Sequence, residues 1–229
     1  METEIKLNAS ELQDVNAIVD DPWLSILLMP DSAQQIAMDS RYFDTPDGLL
    51  AASGHALRLR TENECRIMTV KSGGPSGDGL HQRLEWSVEL EDDDDSLAHP
   101  ERGLEIDAFM KRAVSEGDPD ELLYDILHLV AGQPLVEVCQ IVFTRRAFDI
   151  GFGDTLMELA LDEGELRGGG NRAPLCEVEL ELREGDARDL VALGEELATR
   201  FGLIPENRSK LARCLQLAGR SAGPDEPDR

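Results

Sequence analysis

Between residues 174 and 182 the chain reads Pro-Leu-Cys-Glu-Val-Glu-Leu-Glu-Leu, with Glu177, Glu179 and Glu181 alternating strictly with Val178, Leu180 and Leu182. Strand side chains point to opposite faces in turn, and same-face neighbours i and i+2 lie roughly 7 Å apart. A helix would scatter these residues, so the alternation commits the segment to a strand with an apolar face and a charged one. The same period recurs along the chain. Glu2, Glu4 and Lys6 share a face, as do Arg58 and Arg60, then Cys65, Ile67, Thr69 and Lys71, then Arg83 and Glu85, then Glu158, Ala160 and Asp162.

An antiparallel sheet with one wet face also alternates in this way. The charges here are sorted, however: some strands carry only acids and others mostly Arg and Lys. Closed into a barrel, such strands would enclose a cavity with an acidic side and a basic side. Arg and Lys donors suit phosphate oxygens, and clustered carboxylates suit Mg²⁺ or Mn²⁺, hard cations that share oxygen ligands with phosphates. The combination describes a site for a metal and a polyphosphate.

The remaining elements follow from period and punctuation. Strands are expected at 35–43, 55–61, 66–72, 81–91, 136–150 and 155–162, with a flexible loop at 73–79 and another at 168–170. Helical spacing is expected over 9–28, interrupted near Asp20-Asp21-Pro22, and over 103–131, broken at Gly117-Asp118-Pro119. Asp186–Phe201 is the clearest amphipathic helix, capped by Asp186 and ended by Gly202. A short helix is expected over 209–218, an acidic surface loop at Asp92–Asp95, and a disordered polar tail over 219–229. About eight strands therefore fall in two β-rich halves separated by a helical region.

Composition narrows the function classes. The 229 residues carry 47 acids against 22 Lys and Arg, a net charge of −25. That field repels nucleic-acid backbones, so general nucleic-acid binding is not expected. It does not forbid a polyanion in an interior site, because surface charge is screened beyond about 8–10 Å. The acidity itself reads as a solvated surface, suggestive of salt adaptation. No apolar run reaches the roughly 18 residues of a membrane span, and METEIKLNAS lacks the features of a signal peptide. Cysteines 65, 139, 176 and 214 have no CxxC spacing and read as reduced, buried thiols of a cytoplasmic protein. His55, His81, His99 and His128 show no ligand spacing, though His81 lies two residues from Arg83 and on the same face. Only residues 6, 71, 111 and 210 are lysine, against 18 arginines.

The segments Glu2-x-Glu4-x-Lys6, YFDTPDGLL (42–50), ALRLR (56–60), TVKSGG (69–74), GLHQRLEW (79–86), ELALDEGEL (158–166), PLCEVELEL (174–182) and SKLARCLQL (209–217) occur in the order found in one known family. Over residues 1–218 the chain resembles the CYTH domain, or triphosphate tunnel metalloenzymes, most of all the bacterial inorganic triphosphatase branch. Members of that branch often carry a C-terminal helical CHAD domain, for which too few residues follow position 218. The resemblance implies an α+β fold: an eight-stranded antiparallel β-barrel forming a tunnel, with helices packed outside, as a single domain over 1–218.

It also implies roles. Glu2 and Glu4 would hold or position metal and water. Lys6, Arg58, Arg60, Lys71 and Arg83 would contact phosphate. Glu85 and Asp162 would join the acidic set, Glu177 and Glu179 would be metal ligands on the far wall, and Glu181 would stand beside them. Arg145 or Arg146 would add a cation, the register between these neighbours being open. Lys210 would sit at the tunnel mouth, so three of the four lysines fall on family positions. The implied reaction is hydrolysis of inorganic triphosphate to pyrophosphate and phosphate with one or two Mg²⁺ or Mn²⁺ ions, Glu2, Glu4, Lys6 and Lys210 being nearest the chemistry. Alternatives are another tunnel activity (thiamine triphosphatase, nucleoside triphosphatase or adenylate cyclase), a polyphosphate-binding module without turnover, or a salt-adapted β-protein with a wet sheet face.

Overall fold

The structure, a computed structural model, describes residues 2–9, 15–91, 95–102, 104–113 and 121–221. Ten strands form: β1 Glu2–Asn8, β2 Gln34–Asp44, β3 His55–Glu62, β4 Cys65–Ser72, β5 Ser76–Gly77, β6 Leu80–Leu90, β7 Val136–Phe152, β8 Thr155–Gly168, β9 Asn171–Glu184 and β10 Ile204–Pro205. Seven α-helices accompany them: α1 Pro22–Ser25, α2 Leu49–Ala52, α3 Asp95–Ala98, α4 Ile106–Arg112, α5 Glu121–Leu129, α6 Ala187–Phe201 and α7 Lys210–Leu217.

Eight strands run antiparallel in the order β1-β9-β8-β7-β2-β3-β4-β6, and β6 pairs back onto β1 to close the barrel. The two sequence halves thus share one sheet, the second supplying the contiguous strands β7, β8 and β9 and meeting the first at the β1–β9 and β2–β7 seams. β1 is the keystone, with Glu4 opposite Glu181 of β9 on one side and opposite His81 of β6 on the other. The two-residue β5 and β10 are attachments to β6 and β1.

The period-two pattern explains the layers. Outward residues of β1, β7, β8 and β9 form one apolar core with α1 and α6, including Ile5, Leu7, Phe148, Leu159, Leu161, Val178 and Leu180. Outward residues of β3, β4 and β6 form a second with α2 to α5, including Leu57, Met68, Val70, Trp86 and Val88. Helix α6 fully buries Leu190, Leu193 and Leu197, each contributing about 1.5–3 kcal/mol. It lies so close to β1 that a Cβ on Gly194 would sit 2.7 Å from Ile5 Cδ1.

Helix α7 is placed differently. Its Cys214 and Leu215 cluster with Met38, Tyr42, Cys139, Ile141, Phe143, Leu166 and Leu175, which point into the barrel. The other helices pack outside, while α7 is set into one end of the barrel as a plug.

Several local expectations change. Among the described residues of 9–28 the helical spacing is realised as a 3-10 turn, Val15–Ile18, and the single turn α1, residues 10–14 lying outside the described ones. Pro22 cannot extend a preceding helix, and Asp21 instead caps a new one, accepting from Trp23 N at 2.8 Å. The loop at 73–79 is packed rather than loose: Ser76 and Gly77 pair with His81 and Leu80. At its end Gly79, with φ +81°, brings the chain within 2.7 Å of Lys6 O measured from an added Cβ, a conformation and approach that suit only glycine. Strands β8 and β9 extend to a tight turn at Gly169-Gly170. The helix at 103–131 appears as α4 and α5, and its expected break at 117–119 lies outside the described residues, as do most of the acidic run (92–94) and of the tail (222–229). No described helix is long and apolar enough to cross a membrane.

Candidate active site

The inward faces of the barrel enclose a cavity of about 700 Å³. Its basic wall comes from β3, β4 and β6. Leu57 and Leu59 point outward, which turns Arg58 and Arg60 in; the same alternation turns in Lys71 on β4 and Arg83 on β6. Arg58 NH2 reaches Glu85 Oε1 at 3.3 Å and Thr69 Oγ1 at 3.4 Å, and Lys71 Nζ is in close contact with Glu85. Arg83 bridges the first two glutamates, donating from Nε to Glu2 Oε2 at 2.6 Å and from NH2 to Glu4 Oε1 at 2.5 Å. The Nε atoms of Arg58 and Arg60 are buried without a hydrogen-bond partner.

The opposite wall comes from β1, β7, β8 and β9. Arg145 lines it, donating to Asp162 at 2.8 and 2.7 Å and closely to Glu179. Arg146, its neighbour, faces the other way, with its guanidinium 5.3 Å from the ring of Phe148 on the outer layer. The structure therefore takes Arg146 out of the predicted phosphate contacts, as period-two geometry requires of adjacent residues. Lys6 Nζ lies 3.1 Å from Glu4 and 3.6 Å from Glu179.

Lys210, on the first turn of the plug helix, is the hub of this wall. Its Nζ donates to Glu177 Oε1 at 2.5 Å and Glu179 Oε1 at 2.7 Å, with Asp162 Oδ2 at 3.0 Å. Arg213 adds a bond of 2.6 Å to the other oxygen of Glu177. These acids are thus each paired with a cation, yet burial first, and then Glu179, push the Glu177 carboxyl up to about 7 against the pull of Lys210 and Lys6.

Glu181 has different company. It faces Glu4 across β1 and Glu158 across β8, and its cationic partner is Arg183, at 2.7 Å. Its carboxyl is pushed up to about 7, by burial first and then by Glu2, Glu158 and Glu4, against the opposing pull of Arg183. For Glu2, burial is outweighed by Lys71, Arg83 and Lys6, which hold it well below the usual carboxylate range. Lys210 is raised despite burial by Glu177, Glu179 and Asp162. Among the described residues no three His, Cys, Asp or Glu side chains converge as a ready metal shell. The carboxyls are turned to the cations beside them. A hard divalent cation nevertheless fits the donor set Glu2, Glu4, Glu158 and Glu181, all oxygen donors lining one cavity.

Some cavity residues were not singled out as site residues in the sequence. Glu158 and Arg183 line the cavity and pair at 2.6 Å; inward period-two placement was the available signal. Tyr42, buried among Arg58, Lys71 and Arg83, has its phenol pulled down by those cations although burial opposes this. His81 also faces the cavity. Its Nε2 lies 2.9 Å from the Glu206 carbonyl, and burial and Lys6 depress it to about 4. The segment YFDTPDGLL serves architecture: Asp44 accepts from Thr45, Leu50 and Ala51 N–H groups at 2.7–3.0 Å, fixing the turn into α2.

The cysteines depart from expectation. Cys139, inward on β7, and Cys214 on α7 form a disulfide with Cα atoms 6.0 Å apart, while Cys65 is exposed. Strand and plug bring together two residues 75 apart in sequence, a juxtaposition that spacing cannot show.

Known proteins agree with this architecture. Inorganic triphosphatase of Haemophilus influenzae is 27% identical over 187 residues, covering 82% of this chain and 47% of that protein. The chain thus spans about half the length of this curated relative. Among solved structures, a candidate adenylyl cyclase from Hippeastrum, HpAC1, described as having a dominant triphosphatase activity, superposes with a TM-score of 0.65 at 20% identity, covering 96% of this chain and 97% of that one. The PH1819 protein from Pyrococcus horikoshii superposes with a TM-score of 0.55 at 20% identity, covering 94% and 99%. Both likenesses are of fold. The CYTH domain model matches residues 1–215, so the chain belongs to the CYTH domain family.

Proposed function

We propose that this chain is a metal-dependent triphosphatase that cleaves inorganic triphosphate to pyrophosphate and phosphate inside the barrel. The observation that carries this reading is one cavity lined on its β3–β4–β6 side by Arg58, Arg60, Lys71 and Arg83 and on its β1–β8–β9 side by Glu2, Glu4, Glu158 and Glu181. The similarity to an inorganic triphosphatase supports the choice of substrate.

Arg58, Arg60, Lys71, Arg83 and Arg145 would bind the phosphate oxygens, Arg through directional forks and Lys71 as a compact charge. Glu2, Glu4, Glu158 and Glu181 would hold Mg²⁺ or Mn²⁺, which supplies charge neutralisation and a more acidic bound water. Lys6 and Lys210 keep Glu4, Glu177 and Glu179 from repelling the substrate. Most of the rate would come from positioning and from charge stabilisation in a site with little water.

A second reading has one observation behind it. Near the plug the cavity is apolar, lined by Ile36, Met38, Ile141, Phe143 and Leu215, which suits an organic group attached to a triphosphate. Phosphate release from inorganic triphosphate, ATP, thiamine triphosphate and long-chain polyphosphate, measured with Mg²⁺ and with Mn²⁺, separates the readings. Selective release from inorganic triphosphate is expected. Release from organic triphosphates alone moves the assignment to the second reading, and thermal stabilisation without release leaves a binding module.

A further inference from the structure

We propose that the Cys139–Cys214 disulfide is a thiol-sensitive latch that holds the plug helix α7 in the barrel and thereby sets how well the cavity binds its anionic substrate. This rests on the triphosphatase reading only for the identity of that substrate.

Three features place the latch. First, the bond is inside the barrel wall: Cys139 is 2% exposed and Cys214 is fully buried, and both belong to the apolar cluster around α7. Second, the helix it holds carries Lys210, the cation shared by Glu177, Glu179 and Asp162, and its Leu211, Ala212 and Leu215 form the end of the cavity. Third, α7 has only eight residues, too few to be stable as a helix without tertiary anchors. Its anchors are of two kinds: noncovalent contacts, namely the Lys210 ion pairs, the Arg213–Glu177 bond and the packing of Leu215, and then the disulfide, the covalent one.

Reduction removes the covalent anchor. A thiolate of a dithiol reductant attacks one sulfur of the pair, forming a mixed disulfide and releasing the other cysteine, which takes up a proton. The reductant's second thiol then displaces the remaining cysteine, so two electrons and two protons pass to the protein and the reductant leaves as its cyclic disulfide. Because both sulfurs are buried, attack waits on local opening of α7. Once reduced, α7 opens more often. Each opening withdraws Lys210 from three carboxylates, which then face the cavity as net negative charge and repel a polyanion. Cys139 and Cys214 are thus positioning residues, acting through Lys210. In a reducing compartment disulfides are transient and redox-sensing rather than structural, and this one sits where its state alters the site.

The test compares the oxidised protein, the same protein reduced with dithiothreitol, and the Cys139→Ser/Cys214→Ser variant, with thiols counted by alkylation and intact mass. Hydrogen exchange at residues 210–217 should accelerate on reduction and recover on reoxidation. KM for triphosphate should rise about tenfold while kcat changes by less than about threefold, the split expected when substrate binding is lost. The serine variant should match the reduced protein and ignore reductant, and Cys65→Ser should retain the response. Equal exchange at 210–217 in oxidised and reduced protein, or a serine variant with the oxidised KM, overturns the latch. Absence of turnover in every state overturns the triphosphatase reading alone, because the exchange measurement still reads the latch.

Discussion

Two residues on one strand, two positions apart, share a side chain and a face and have opposite surroundings. Glu179 meets Lys210, Arg145 and Lys6, while Glu181 meets Glu4, Glu158 and a single arginine, Arg183. The pKa directions follow: Glu179 is held well below the carboxylate range by Lys210, Arg145 and Lys6 in spite of burial, and Glu181 rises to about 7. The acids near the plug are an internal salt network that seats α7. At the β1 end Glu181 is set against two other acids, Glu4 and Glu158, although each of the three also has a cationic partner. A run of glutamates is thus not one site, and the partners across the barrel decide which part is structural.

The largest expected effect breaks the plug side of this contrast. Lys210→Met leaves Glu177, Glu179 and Asp162 buried without their common cation. Removing one partner of a buried ion network costs about 3–5 kcal/mol, so a clear fall in the denaturant midpoint is expected. A midpoint unchanged within error would mean the helix is seated by its apolar contacts alone.

The next effect belongs to the other cluster. Glu181→Gln should reduce metal-dependent turnover by about a hundredfold or more, on the scale of losing an electrostatic catalytic group, while costing little stability. It should also change the pH response. Glu181's folded pKa of about 7 lies above its ordinary 4.5. A raised pKa lends stability that is whole below about 4.5 and is lost as pH rises through 7. The metal-free protein should therefore lose about 1–2 kcal/mol across that window after discounting for partial exposure, and Mn²⁺ should stabilise it more at pH 8 than at pH 6, because binding displaces the proton. Melting curves of wild type and Glu181→Gln at both pH values check this. A cation-induced shift independent of pH and unaffected by the substitution would place the cation elsewhere.

How much of this was legible follows from the same contrast. Period-two alternation marked the strands and most inward charges, because side-chain direction on a strand is local. The inward placement of Glu2, Glu4, Arg58, Lys71, Arg83, Glu177 and Glu179 needs nothing beyond it. What the sequence left obscure depends on contacts distant in the chain. The different company of Glu179 and Glu181 on β9 is set by α7 on one side and by β1 and β8 on the other. The Cys139–Cys214 bond depends on the plug entering the barrel. Apolar spacing over 9–28 is ambiguous for a related reason: it reports burial against α6 and the sheet, which a pair of turns satisfies as well as a helix.

The smallest effect tests alternation at its sharpest point. Arg145 and Arg146 are adjacent and identical in type, so composition and local charge cannot separate them. Geometry can: Arg145 bonds Asp162 and Glu179 inside the cavity, and Arg146 lies over Phe148 outside. Arg145→Ala should lower kcat/KM by about two orders of magnitude, as expected when a buried charge-assisted contact to the substrate is lost. Arg146→Ala should leave kcat/KM within about twofold, because its side chain lies on the outer face of β7. Measured side by side, the pair separates side-chain direction from charge, since both substitutions shift the net charge by the same unit. Equal losses in both variants would show that the overall field of the barrel, rather than the inward face of β7, governs phosphate binding.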